Sequence, residues 1–484
     1  MNKIVGRDLE KNILQQLVNS NEAEFLAVYG RRRIGKTFLI REFFKDVDMY
    51  FEITGLQSGV LNDQLENFID VFKTQFAKKD IIDIPENWHK ALKMIINEVD
   101  KKSIKGKMVF FFDELPWLAH RKSKFVQALE YFWNVWASKR KNIIVIVCGS
   151  SASWMLEHIV NNKGGLHNRI TKRIRLLPFT LKETKDYLES RRIKLDNKQI
   201  LEVYMAMGGV PHYLKQIQKG LSAAQNINKI CFTKDGILVD EFNKLYQSLF
   251  EYSENYIEII RILSKKRMGF TRKELLNKLK IKSGGGLSKI LLALEESGFI
   301  SKIIPFGKRS NDAVYKLIDE YSLFYLTWIA NTPKGVLNSK KHSYWINKRI
   351  TSSWNAWAGY SFEGICYKHA YQIKLALNIG GVNTLESSWS IRPKNKEKPG
   401  SQIDLIIDRS DNCITVCEIK YYDLDFIINK SYYQKLKSKL EVFRREIKTN
   451  KTIFFVMMTT YGVKENQYYD QIVSEQLDMN ILFQ

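Results

Sequence analysis

Short, largely apolar runs of strand length punctuate the first third of the chain: Phe25 to Tyr29, Met49 to Ile53, Met108 to Phe112, Ile143 to Cys148 and Arg173 to Leu177. Helical stretches separate them. Buried strands alternating with crossover helices predict an α/β parallel sheet. Further along, the period changes. Tyr256 to Leu263, Thr271 to Leu279 and Leu287 to Glu296 predict three short helices, with Gly298 closing the third. Phe299 to Ile304 and Ala313 to Ile318, joined through the basic turn GKRSND, predict a β-hairpin. Three helices and a hairpin form the winged-helix plan. Asn331 to Lys341 has the composition of a linker. Beyond it, Trp357 to Ala370 predicts a helix carrying Glu363. Gln402 to Ile407 and Ile414 to Lys420 predict a second hairpin across the turn Arg409 to Asn412.

The first strand leads into Gly30-Arg31-Arg32-Arg33-Ile34-Gly35-Lys36-Thr37, and a helical stretch follows at once. Strand, glycine loop and helix is the setting of a phosphate-binding loop. Gly30 and Gly35 let the backbone approach a polyphosphate, and the loop N–H groups and helix N-terminus face the anion. Lys36 is expected on the β- and γ-phosphates of ATP, and Thr37 on Mg²⁺. The third strand ends at Asp113-Glu114. There Asp113 is expected to hold Mg²⁺ and Glu114 to polarise the attacking water. The fourth ends at Gly149-Ser150-Ser151, where a serine either senses the γ-phosphate or caps the next helix. Arg169 is a candidate arginine finger, with a plain surface arginine as the alternative.

Composition adds a partner. The 484 residues carry a net charge of +24, which favours a polyanion, with nucleic acid first. The length implies three or four domains. The five cysteines form no C-x-x-C pair, so neither a disulfide framework nor a zinc knuckle is indicated. No apolar leader and no run of membrane-span length is found, so a cytoplasmic protein without membrane association is expected.

The second hairpin interrupts apolar strands with charges. Glu418 and Lys420 are two apart on a strand and share one face. Asp404 starts the partner strand, where it can converge on Glu418. Two such carboxylates bind a hard cation, and the lysine can orient water beside a phosphodiester. Lys282, Ser283, Lys289, Lys308 and Arg309 are the winged-helix positions expected to meet a DNA backbone.

Taken together, IVGRDLE, GRRRIGKT, FFFDELPWL, the GSS strand end, HNRITKRIRLLPF and GGVPHYL resemble the archaeal-type AAA+ ATPases related to STAND NTPases. That resemblance implies that Gly6 and Arg7 lie near the base of the nucleotide. It also places Pro211, in Gly209-Val210-Pro211, in a helical lid. Serine stands at the sensor position where AAA+ motors commonly carry asparagine, which suits a slow switch. The C-terminal region resembles the PD-(D/E)xK nuclease fold, although Ile403 precedes Asp404 where that pattern has proline. This second resemblance makes Glu363 the helix acid, Asp404 and Glu418 the metal ligands and Lys420 the catalytic lysine, with Gln434 supporting. The implied organisation is an ATPase core at 1–178, a lid at 179–240, a winged helix at 241–330, a linker at 331–345 and an α/β restriction-endonuclease-like domain at 346–484. The expected activity is that of an ATP-controlled, metal-dependent DNA nuclease, with a homo-oligomer formed through the AAA+ domain. The alternative is a STAND-like switch that binds DNA or protein and does not cleave.

Overall fold

The computed structural model describes residues 3–76, 81–120, 122–161, 164–166, 168–279, 284–338, 343–391 and 400–484. The chain divides into two compact units. One comprises Met1–Pro178 with Ser248–Glu251 and Leu292–Gly298; the other holds Phe179–Gln247, Tyr252–Leu291 and Phe299–Gln484.

The first unit is built on a parallel sheet of β1 (Glu24–Tyr29), β2 (Met49–Thr54), β3 (Met108–Asp113), β4 (Ile143–Gly149) and β5 (Lys172–Arg175). Its spatial order is β2-β3-β4-β1-β5. Alternation along β1 explains the layers. Phe25, Ala27 and Tyr29 enter an aromatic-rich core on one face, while Leu26 and Val28 enter an aliphatic core on the other. Both faces are buried, so the strands read as continuous apolar runs. Because β4 lies between β1 and β3, the ends of all three come to one edge.

The second unit begins with helices at Leu181–Ser190, Asn197–Met207, Pro211–Leu214 and Ala223–Cys231. Thr180 with Glu183 and Ser222 with Gln225 form capping boxes that start the first and last of these. Gly209 is needed for close approach, since a Cβ there would lie 1.9 Å from the Phe179 carbonyl oxygen. Helices Ser253–Leu263 and Arg272–Leu279 follow, as does the start of the helix Gly284–Glu296, whose end from Leu292 belongs to the first unit. The small antiparallel sheet beside them consists of β6 (Phe270–Thr271), β7 (Ile300–Ile303) and β8 (Val314–Leu317), in the order β6-β8-β7.

The 331–345 stretch departs from the linker expectation at its end. Trp345 is fully buried and stacks on Phe232 with ring centroids 5.1 Å apart. Its ring also meets Phe324, Trp328 and Trp354. Pro and Gly set the loop-like composition nearby, but one tryptophan in an aromatic cluster buries enough surface to pin the segment.

The C-terminal sheet contains β9 (Thr384–Ile391), β10 (Ser401–Arg409), β11 (Cys413–Lys420), β13 (Thr452–Thr459) and β15 (Glu475–Leu477); β12 (Phe426–Ile427) pairs separately with β14 (Val463–Lys464). Its order is β15-β13-β11-β10-β9, antiparallel from β9 to β11 and parallel from β11 to β15. Cys413 and Cys417 both lie on β11, and all five cysteines are free thiols. No helix among the described residues is long and apolar enough to cross a membrane.

His369 joins two parts of the second unit. Its Nε2 accepts from the Leu181 N–H at 3.1 Å, so the proton sits on Nδ1 and is donated to the Ile365 carbonyl at 2.8 Å. Burial lowers this imidazole from 6.5 to about 4. The unfolded chain therefore takes up the proton first as pH falls. Stability from this group is complete above pH 6.5 and is lost towards pH 4, by about 3 kcal/mol. Urea denaturation across that window should show the loss in the wild type and a smaller one in His369→Gln. Equal slopes would refute the assignment.

Candidate functional site

At the mouth of β1, Gly30 has φ +148° and Gly35 has φ +91°, both outside the comfortable range of other residues. A Cβ on Gly30 would lie 2.2 Å from the Leu176 carbonyl oxygen. At Gly35 the same test meets nothing within 4 Å, so the loop is open on that side. Gly35 precedes the helix Lys36–Phe44, whose N-terminus faces the loop. The Lys36 ammonium is buried and donates to the Gly30 carbonyl (2.9 Å), the Arg31 carbonyl (3.0 Å) and Ser150 Oγ (3.0 Å).

The acidic pair at the end of β3 faces the same loop. Thr37 Oγ1 donates to Asp113 Oδ2 at 2.7 Å. Burial raises the Asp113 carboxyl, and Glu114 beside it adds to the rise against the Thr37 hydrogen bond. Glu114 takes a left-handed backbone, φ 46°, as the strand turns into the helix Leu115–Leu118. That strained turn aims its carboxylate at β4. There it accepts from the Ser150 hydroxyl (2.5 Å) and the Ser150 N–H (3.2 Å). Ser150 thus bridges Lys36 and Glu114. Ser151 precedes the helix Ala152–Met155 without a side-chain cap bond.

The remaining expected residues divide. Gly6 and Arg7 both have positive φ, and the buried Arg7 guanidinium donates to the Ile34 carbonyl at 3.3 Å. Ile34 packs against Gly30, and Arg31 is buried within the loop. Arg32 lies over the Trp117 ring at 5.2 Å, a contact that the sequence reading missed. Arg33 is exposed with φ 70°. Arg169 is exposed on the loop before β5. Pro211 opens a short helix of the second unit.

These residues suit a nucleotide with its metal. The loop leaves room at Gly35, and a hydroxyl and a carboxylate oxygen at Thr37 and Asp113 form a hard-cation donor set. Residues 4–217 match the model of an ATPase domain found predominantly in Archaea. This part of the chain is an archaeal-type P-loop ATPase domain. The chain is 24% identical over 444 residues to an uncharacterised protein of Methanocaldococcus jannaschii, covering 90% of this chain and 92% of that one. An uncharacterised ATP-binding protein of the same organism is 43% identical over 42 residues, covering 9% of this chain and 71% of that one. Among solved structures, the Walker-type ATPase of Pyrococcus abyssi matches with a TM-score of 0.47 and 16% identity, covering 67% of this chain and 96% of that one.

The C-terminal charges converge as well. The register of β10 and β11 pairs Leu405 with Cys417, so Asp404 and Glu418 come next, side by side. Opposite β9, Asp404 and Leu405 face the single residue Ser388 in a bulge, which re-aims the Asp404 side chain. The Ile419 N–H donates to Asp404 at 3.4 Å. Glu363 comes from the helix Ser352–Lys368. Burial, then the charge of Asp404, raises the Glu363 carboxyl to about 8. Asp404 is also raised, by burial and by Glu418.

Glu418 behaves oppositely. Burial favours its neutral form, but Lys420 and Lys439 overcome that and hold it below the usual range. Its carboxylate meets Lys420 Nζ at 2.8 Å, Lys439 Nζ at 2.5 Å and the Tyr432 hydroxyl at 2.9 Å. Among the described residues, no group of three or more His, Cys, Asp or Glu is placed to hold a metal ion. In this conformation Glu418 is compensated by lysines, and the described acids do not form a metal cage.

Gln434 is exposed and turned away. Its helix, Lys430–Ile447, uses a different face: Leu436 and Phe443 are buried, and Tyr432 and Lys439 share that stripe. Reading the i, i+4, i+7 spacing would have found both. Lys316 on β8 lies beside Glu363 and Asp404; burial lowers its ammonium against the pull of those acids. Lys282 and Ser283 fall outside the described residues, whereas Lys289, Lys308 and Arg309 are exposed.

Hydrogen bonds to charged groups contribute about 1.5–3 kcal/mol each. Ser150→Ala should therefore slow ATP turnover by roughly tenfold or more while leaving nucleotide affinity within a few-fold. Turnover equal to wild type would remove Ser150 from the site.

Proposed function

We propose that the protein is an ATP-binding and ATP-hydrolysing switch that acts on DNA, with a C-terminal metal-dependent nuclease domain of the PD-(D/E)xK type. The observation that carries the first part is the shared site of Lys36, Thr37, Asp113, Glu114 and Ser150. Loop amides and Lys36 bind the phosphates; Thr37 and Asp113 are the residues to hold Mg²⁺, which supplies charge neutralisation when bound. Glu114 orients the attacking water. Ser150 holds the Glu114 carboxylate and is the group that senses a γ-phosphate arriving at Lys36. Gly6, Arg7, Arg31, Arg32, Arg33 and Ile34 shape the loop and its base-side wall. Pro211 belongs to the lid in this reading. Arg169, on an exposed loop, suits a finger directed at a neighbouring copy's nucleotide.

The DNA part rests on the net charge of +24 and on a winged-helix reading of the three helices and β6–β8, with exposed Lys289, Lys308 and Arg309. The nuclease part rests on Asp404, Glu418 and Lys420 on adjacent strands with Glu363 beside them. A second reading, a switch whose nuclease-like domain does not cut, is favoured by the saturation of Glu418 by Lys420, Lys439 and Tyr432.

Lys36→Ala should abolish nucleotide binding and turnover. Glu114→Gln should keep binding and lose about 10²–10⁴ in hydrolysis. Wild-type turnover in either variant would sink the ATPase roles. Mg²⁺- or Mn²⁺-dependent cleavage of plasmid or branched DNA should vanish in Asp404→Ala and Lys420→Ala; cleavage that persists in both would be contamination. Lys308→Glu with Arg309→Glu should weaken DNA binding and reduce the salt slope by about 2. An unchanged slope would exclude the hairpin turn as a phosphate contact.

A further inference from the structure

A cavity of about 50 Å³ lies where the small β6–β8 sheet meets the C-terminal acids. Glu363, Asp404 and Gln402 line it from the C-terminal side, and Arg267 and Lys316 line it from the three-helix and hairpin side. The Lys316 stem crosses Gly269, where a Cβ would lie 2.9 Å from Lys316 Cγ. Arg267 stands 5.0 Å from the Tyr360 ring and donates to the Ala356 carbonyl at 3.3 Å. Two cations from a separate part of the fold thereby line the same cavity as two carboxylates, while Lys420 and Lys439 pair with the third carboxylate, Glu418, and Lys420 also bears on Asp404 and Glu363. Buried carboxylates require such compensation.

Size decides what this arrangement can admit. A cavity of about 50 Å³ holds a few waters. Sites for organic ligands run to several hundred Å³, and a nucleic-acid strand needs at least that. The hairpin is also latched. The Ser388 carbonyl, opposite the β10 bulge, accepts from the Phe306 N–H at 2.9 Å. The Phe306 ring lies 5.8 Å from Phe443 and packs on the C-terminal core.

We propose that the Ile300–Leu317 hairpin is a built-in stopper for the C-terminal acidic site. Lys316 and Arg267 put positive charge into the space that a divalent cation would enter, and the Phe306 latch keeps the strand path closed. Release of the hairpin exposes Asp404 and Glu363 together. This inference rests on the nuclease-like reading of that site.

The test measures Mn²⁺ binding to the full chain from the loss of the free Mn²⁺ EPR signal, with DNA cleavage assayed in parallel. Lys316→Met removes the charge and keeps the stem over Gly269; Phe306→Ala releases the latch by a different route. Lys316→Met should bind Mn²⁺ about tenfold more tightly or better than wild type, as expected for removing one like charge nearby, and Phe306→Ala, which removes the ring contact with Phe443, should shift affinity in the same direction. Adding Asp404→Asn should cancel the gain. Unchanged affinity in both variants, or a gain that survives Asp404→Asn, overturns the stopper even if the wild type cuts DNA. An Asp404-dependent gain with no cleavage in any variant supports the stopper and overturns the nuclease reading instead. A gain accompanied by faster cleavage supports both.

Discussion

A buried lysine needs oxygen around it, and the first unit is arranged to supply it. Lys36 is held by two loop carbonyls and by Ser150, which itself leans on Glu114. The hydroxyl can bridge the two charges only because β4 runs between β1 and β3. Strand order thus brings a loop after β1, a carboxylate pair after β3 and a serine after β4 to one edge. Without these partners, the buried Lys36 and Asp113 would each cost several kcal/mol.

The second unit answers the same constraint differently. Three acids meet near the Asp404 bulge, and cations from three elements answer them: Lys420 from β11, Lys439 from the following helix, and Lys316 from β8. The two sites contrast. In the first unit the polar groups surround an open glycine loop with a hydroxyl–carboxylate pair ready for a hard cation. In the second, the protein's own ammonium groups already pair with Glu418, so a cation entering there must compete with ion pairs that are largely shielded from water.

Much of the architecture was legible before any coordinates. The five apolar runs of the first unit became β1 to β5 with small shifts at their ends. The acidic hairpin became β10 and β11, with Asp404 and Glu418 adjacent. The clearest departure was Trp345, assigned to a linker by its polar and Gly/Pro-containing surroundings yet buried among Phe232, Phe324, Trp328 and Trp354. Composition averages over a window, whereas one large ring finds its partners far away in sequence. Gln434 failed for a related reason: its residue type suited the site, but its position on the helix did not.

What the sequence determined alone was what is local. Apolar periodicity, the glycine spacing of residues 30–37 and the two-residue step from Glu418 to Lys420 are set by backbone geometry over a few residues. Tertiary structure decided which charges meet. Ser150 reaches Lys36 across 114 positions of chain, and Lys439 reaches Glu418 across 21. Lys316 and the Phe306 latch are brought to the acids by docking of one substructure on another. Long-range electrostatic pairing depends on strand order and on the face a helix presents, and neither is written in any short stretch of the chain.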